Sequence, residues 1–394
     1  MRSVYVGLVA IGVLGLAAFQ AIAQQGPPGS PGPIPVPGLT PAQQLAFSQG
    51  SRTFAKNYGV ADGLGPVFND DSCNDCHRNG GGTNRTVTRF GRLDGAVFDP
   101  LEELGGSLVQ SRGIGSITTV DGTHDFEGER TPPTATVTTR RRSQALQGLG
   151  LVDAVAEGAW HALAVAELQT DPSTAGRVHI VLDRSTGGAA VGKFGWKAQV
   201  PTLIQFAAEA MLNEMGITNP LFRDEACPQG DCQALDFNPA PAMNDDGRDV
   251  EDLASFMTML APVPRGPITD DAIAGEQLFT QIGCATCHRP TLQTGPSPIA
   301  ALDRVDFHPY SDFLLHDMGN LGDRIVQGQA TGAEMRTQPL WGVRATNRLL
   351  HDGTATTLED AIRRHDGQAR AARDRFVALD AGRLAQLLAF LRSL

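Results

Sequence analysis

Two stretches of the chain carry the same chemistry: "SCNDCHRN" at 72–79 and "GCATCHRP" at 283–290. Cys-x-x-Cys alone serves a zinc half-site, a redox dithiol or a haem attachment. The histidine that follows at once separates these. In c-type attachment both thiols bond to the porphyrin and the adjoining imidazole takes the iron. Zinc ribbons need two such pairs close together, and redox dithiols follow a strand in a βαβ pattern. Here His77 and His288 are 211 residues apart. The motifs imply two covalent haems c, one on Cys73, Cys76 and His77, the other on Cys284, Cys287 and His288.

Helices must deliver the chain into each motif. Thr40 and Pro41 read as the N-cap and first position of a helix leading to the first unit. Thr269-Asp270 starts another, with apolar Ile273, Leu278, Phe279 and Ile282, that runs straight into Cys284. Leu384, Leu387, Leu388 and Leu391 fall at i, i+3, i+4, i+7 and predict an amphipathic closing helix. Thr356 and Glu359 read as a capping box opening "TLEDAIRRH". "VHIVLDRSTGGAAVGKFGW" alternates at Val178, Ile180 and Leu182 and turns at Gly187-Gly188, a β-hairpin. "RSQALQGL" (142–149) parallels "RTQPLWGV" (336–343), and "WKAQVPTL" (196–203) parallels "HDGTATTL" (351–358). Together with the cysteine motifs, these echoes in matching order predict two related haem domains.

The net charge of -11 argues against nucleic-acid binding and leaves room for a basic protein partner. The chain opens with Arg2, an apolar run over 4–19 and Ala21-Ile22-Ala23, the anatomy of a signal peptide cleaved before Gln24; a retained anchor is the alternative. No later segment is apolar enough to cross a bilayer, so an exported, periplasmic protein is expected. "QQGPPGSPGPIPVPG" reads as a Pro/Gly tether. Cys227 and Cys232 suit a short-loop disulfide, with free-thiol or metal roles as alternatives. Arg140-Arg141-Arg142 suits haem propionates or a solvated turn. The expected organisation is a signal peptide (1–23), a linker (24–40), an N-terminal haem domain with insertions (41–264) and a C-terminal cytochrome c-like domain (265–394). The fold is expected to be mainly α, with a small β-hairpin insertion in the N-terminal domain.

"GLGPVFNDDSCNDCH", "GKFGWKAQVPTLIQ", "NEMGITNPLF", "YSDFLLHDMG" and "RTQPLWGVRATNRLLHDGTATTLEDAIRRHDG" together resemble the putative-peroxidase branch of the di-haem oxidoreductases, related to bacterial di-haem cytochrome c peroxidases. The resemblance assigns Trp196 to the inter-haem position, and Gln205 and Glu214 to the open face of the first haem. There a glutamate moves a proton between the peroxide oxygens and an amide orients the peroxide. Trp196 stands one residue closer to Gln205, and two closer to Glu214, than in the peroxidase pattern. The peroxidases place a methionine just before His-Asp-Gly as sixth ligand of the second haem. Here Leu350 stands there and cannot ligate. His351 becomes the first candidate, with Met318 and Met335 as alternatives and a propionate-bonding turn histidine as the bland reading. Thr337-Gln338-Pro339 matches a segment whose carbonyls hold calcium between the domains.

The implied function is an exported peroxidase. Electrons enter at the C-terminal haem from a small redox protein, a cytochrome c or cupredoxin, and pass to the N-terminal haem, which reduces hydrogen peroxide. Two alternatives keep both haems: an oxidase or oxygenase acting on a protein or organic molecule, and a pure electron carrier in which His124 or His161 closes the first haem.

Overall fold

Helix Pro41–Phe54 starts as expected: Thr40 Oγ1 accepts from Gln43 N at 3.3 Å and Gln43 Oε1 accepts from Thr40 N at 2.9 Å, a reciprocal cap. It crosses helix Arg248–Met259, where Phe47 and Phe54 pack tilted against Phe256 with ring centres 5.3 and 4.7 Å apart. Only a glycine fits at position 50, since a Cβ would stand 2.2 Å from the Asp252 carbonyl oxygen. The second motif is framed in the same way. Helix Asp270–Gln281, capped by Thr269, crosses the closing helix Ala381–Leu391, and a Cβ on Gly275 would stand 2.0 Å from the Gln386 carbonyl oxygen. Each Cys-x-x-Cys-His is thus flanked by a helix pair in backbone contact at one glycine.

The computed structural model describes residues 32–95, 97–120 and 122–394. The expected signal peptide and the first part of the linker lie outside the described residues. The rest of the linker is no free tether. Val36 and Leu39 are buried, Val36 N donates to Met259 O and Ala261 N donates to Ile34 O, both at 2.8 Å. Among the described residues no helix is long and apolar enough to cross a membrane.

The fold is mixed, not mainly α: the described residues are 37% helix and 18% strand. Strand Thr86–Asp94 pairs antiparallel with Val137–Arg142, Val97–Asp99 and Leu108–Val109, and Gly115–Thr119 forms a hairpin with Gly122–Phe126. "TVTRFGRLD" and "VTTRRR" lack apolar alternation, so their periodicity hides them. β-branched residues and cross-strand pairing form them instead. The expected hairpin forms, pairing His179–Asp183 with Gly188–Gly192, but its buried face carries His179 and Asp183, and Leu182 is exposed. The capping reading also shifts by one residue. Thr357, not Thr356, caps helix Leu358–Arg363, its side chain accepting from Asp360 N at 3.0 Å. This repeats the way Thr202 caps helix Leu203–Met215 by accepting from Gln205 N.

The echoed segments meet each other. Arg142 N donates to His351 O at 2.7 Å, and the equivalent Arg336 N donates to Trp196 O at 2.9 Å. Trp196 and His351, also equivalent, pack edge to face with ring centres 6.2 Å apart. Each copy satisfies a main-chain donor with the other's carbonyl, the reciprocity of a two-fold contact within one chain. The hydrophobic clusters do not divide at residue 264. Leu302, Phe307, Phe313, Leu314 and Trp341 belong to the core built mostly by the N-terminal half, and a second cluster gathers Leu278, Phe279, Phe376, Leu387 and Phe390.

A buried ion cluster ties the two halves. Asp323 accepts from Arg141 Nε at 2.7 Å and lies 2.9 Å from Lys197 Nζ, with all three side chains at most 4% exposed. Lys197 also donates to the carbonyls of Thr331 and Glu334. Burial opposes ionisation of Asp323, but Arg141 and Lys197 outweigh it and hold the carboxyl below its usual range. Asp323→Ala strands two buried cations and is expected to cost about 3–5 kcal/mol. A drop in the urea midpoint at unchanged slope checks this. The stabilisation from Asp323 is present above the usual carboxylate range and is lost as pH falls through its depressed value.

Candidate functional site

In the first motif Cys73–Cys76 form one helical turn and His77 caps it, its N–H donating to Cys73 O. His77 Nδ1 donates to Gln144 O at 2.7 Å. In the second, Cys284–Thr286 form a 3-10 turn and His288 Nδ1 donates to Tyr310 O at 2.9 Å. A carbonyl can only accept, so each Nδ1 carries the proton and each Nε2 offers its lone pair to a metal. Burial pushes His77 down to about 4; burial and then the His365 ring do the same to His288. Both imidazoles are therefore neutral, the form that ligates. Burial also pushes Cys73, Cys76 and Cys284 up to about 12, and raises Cys287. Thiols so reluctant to ionise make poor redox dithiols.

A cavity of about 420 Å³ opens on the second unit. Its lining holds Cys284, Cys287 and His288, together with Gly81, Gly82 and Gln144, the residue whose carbonyl orients His77. Leu340, Val343, Leu358, Ile362 and Leu387 give it apolar walls. Three donors on its lining, Arg142 Nε, Gln144 Nε2 and Trp341 Nε1, are buried without an acceptor. Unpaired buried donors are costly and call for an acceptor from elsewhere. A flat apolar ring bearing carboxylates supplies what they lack, so the residues fit haem. Of the three consecutive arginines, Arg140 is exposed, Arg141 turns to Asp323 and Arg142 lines the cavity, the alternation of a strand.

Trp196 lines this cavity, with its indole Nε1 donating to Arg142 O at 2.9 Å. His351 is buried against Trp196. Met318 and Met335 also line the cavity, and Met335 lies opposite His316 in the Leu315–Asp317 and Glu334–Arg336 strand pair. His316 is committed at both nitrogens, Nε2 to Asp312 at 2.8 Å and Nδ1 to the Cys287 sulfur at 3.5 Å. Burial alone would strip its proton, but Asp312 outweighs burial and keeps it charged. The imidazole beside His288 is His365, with ring centres 6.4 Å apart. Sequence reasoning missed it, though His-Asp-Gly occurs twice, at 351–353 and 365–367.

On the other side of the first motif, Glu214 closes helix Leu203–Met215 and its charge acts on the Cys76 thiol. Asn69 Nδ2 donates to its carboxylate at 2.9 Å. Burial raises Glu214 above its usual range, partly offset by Arg89, and burial raises Glu209 similarly. Arg89 and Glu209 were not singled out from the sequence. Gln205 stands apart from this group: its carbonyl accepts from Arg184 N at 2.8 Å and its amide donates to Leu182 O at 3.3 Å, pinning the hairpin. The Thr337 carbonyl already accepts from Ser311 Oγ at 2.8 Å and from Arg336 Nη1 at 3.2 Å. The Thr337 carbonyl thus already has two donors, one of them a guanidinium. Cys227 and Cys232 form the expected disulfide. His124 stacks on Phe237 and His161 is exposed, and neither lines the cavity.

Among solved structures, the chain is similar to a MauG-like protein associated with microbial copper homeostasis, at 18% identity over 93% of this chain and 94% of that one, TM-score 0.40. It is similar to the diheme peroxidase BthA from Burkholderia thailandensis at 16% identity over 89% and 86%, TM-score 0.39. It is also similar to Kuenenia stuttgartiensis hydrazine synthase at 14% identity over 97% and 100%, TM-score 0.35. No curated protein matches. The model of the family described as "Di-haem oxidoreductase, putative peroxidase" matches residues 135–394, which include Trp196, Glu214 and the second Cys-x-x-Cys-His. The chain belongs to this di-haem oxidoreductase family.

Proposed function

We propose that the protein is an exported di-haem peroxidase that takes electrons from a small redox protein, a cytochrome c or cupredoxin, and reduces hydrogen peroxide. The observation that carries the reading is the matched pair of half-buried, neutral imidazoles at His77 and His288. Each is fixed through Nδ1 to a carbonyl, and a cavity with unpaired donors is lined by His288 and by Gln144, whose carbonyl holds His77. Cys73 and Cys76, and Cys284 and Cys287, are read as thioether anchors for two haems c, in domains spanning 41–264 and 265–394. Bound there, the C-terminal haem supplies single-electron transfer and the N-terminal haem an open iron for reduction of peroxide to water.

The chain's own residues set up this division. Trp196, held by its indole bond to Arg142 O, lines the cavity beside the second unit and supports electron passage from the C-terminal to the N-terminal side. Glu214 is poised for proton transfer near Cys76. Its raised affinity for a proton lets it deliver one, and the nearby Arg89 charge eases its return to carboxylate. Gln205, bonded to the hairpin backbone, serves by holding helix Leu203–Met215, which carries Glu214. The net charge of -11 suits a donor with a basic face.

Matured protein is expected to keep two haems after denaturation, and a Cys284→Ala/Cys287→Ala variant to keep one covalently; mass spectrometry counts them. With a reduced cytochrome or cupredoxin, peroxide turnover is expected. Glu214→Gln should lower kcat about 10²–10⁴-fold at unchanged haem content, and absence of turnover in the parent protein in every redox state sinks the reading. Because Glu214 prefers the protonated form in the fold, its contribution to stability is full below its unfolded value and is lost as pH rises through its raised folded value. Thermal melts of Glu214→Gln should lack this loss with rising pH.

A further inference from the structure

Four histidines line the cavity: His288, His316, His351 and His365. His316 has no nitrogen to spare, being bonded to Asp312 and Cys287. His351 turns its ring edge-on to Trp196, and its carbonyl is held by Arg142 N. His365 is placed differently. It follows helix Leu358–Arg363, whose Leu358, Ala361 and Ile362 form an apolar wall of the same cavity. Its Nδ1 donates to Ala361 O at 2.8 Å, leaving Nε2 for a metal as in His288. Its own carbonyl accepts from Arg373 Nη1 at 2.9 Å, and the next residue, Asp366, is held by Arg370 and Arg373. The side chain is fixed before any cofactor arrives.

The separation of the two rings has the right length for a shared metal. A ring centre lies about 1.1 Å from its own nitrogen and metal–imidazole bonds run about 2.0 Å, so two imidazoles on opposite sides of one ion have centres about 6.2 Å apart. His288 and His365 show 6.4 Å. We propose that His365 is the second axial ligand of the haem iron held by His288, making that haem a closed, bis-imidazole centre.

The inference rests on the reading of Cys284, Cys287 and His288 as a haem site. Peroxide is then confined to the His77 side. Two imidazoles also leave the C-terminal haem at a lower reduction potential than the imidazole–thioether pair that Met318 or Met335 would make.

The test uses the full matured chain with both haems, counted by mass. Near-infrared magnetic circular dichroism of the oxidised protein is expected to show a bis-imidazole charge-transfer band. His365→Met should move that band to the imidazole–thioether position and raise the potential of one haem. His365→Gly should turn that haem high-spin, and added imidazole should restore the original band, which a merely structural role would not allow. A band unchanged in both variants, or lost instead in His351→Ala, overturns the proposal. A parent protein with no haem on the second motif overturns the underlying reading as well, and the mass count reports that outcome separately.

Discussion

The molecule is organised around a seam where the chain meets its own repeat. Arg142 N reaches the His351 carbonyl and Arg336 N reaches the Trp196 carbonyl, so neither copy satisfies its main chain without the other. From this seam much else follows. Arg142 O, on the same residue, fixes the Trp196 indole. Two residues on, the Gln144 carbonyl orients His77. On the second copy, Arg336 reaches into the first through its side chain, Nε donating to Gly195 O at 2.7 Å. The His77 site therefore hangs from this strip of backbone, while the Tyr310 carbonyl orients His288.

Electrostatics reinforce the seam. Asp323 draws Arg141 and Lys197 together at its back, in a cluster closed to water. Facing the cavity, Arg142, Gln144 and Trp341 present donors with no acceptor. The first set is paired within the protein and ties the halves together. The second has no partner in the protein, and an anionic cofactor would supply one. Arg336 serves both the seam and the cavity wall, and its guanidinium donates to the Thr337 carbonyl.

Much of the fold was legible because its signals are local. Thr40 and Thr269 cap the helices they appear to cap, Cys227 bonds Cys232, and the closing helix carries its leucine stripe. The β content was not legible. Strands such as "VTTRRR" have no apolar face to announce them and exist because Thr86–Asp94 lies beside them. The hairpin was recognised, but its buried face was not. His179 is drawn inward by Lys197 O and Gln329 N, bonds to residues far along the chain, and that forces Leu182 outward.

By itself the sequence determined the two Cys-x-x-Cys-His units, their helical frames and the repeat that relates them, because each lies within a few consecutive residues. Which imidazole would stand opposite His288 was decided only by tertiary structure. His351 and His365 carry the same His-Asp-Gly triplet and differ by a single helix, Leu358–Arg363. The seam holds the first against Trp196, and that helix turns the second across the cavity to 6.4 Å from its counterpart. Nothing local separates the two, since what distinguishes them is the partner each meets from a distant part of the chain.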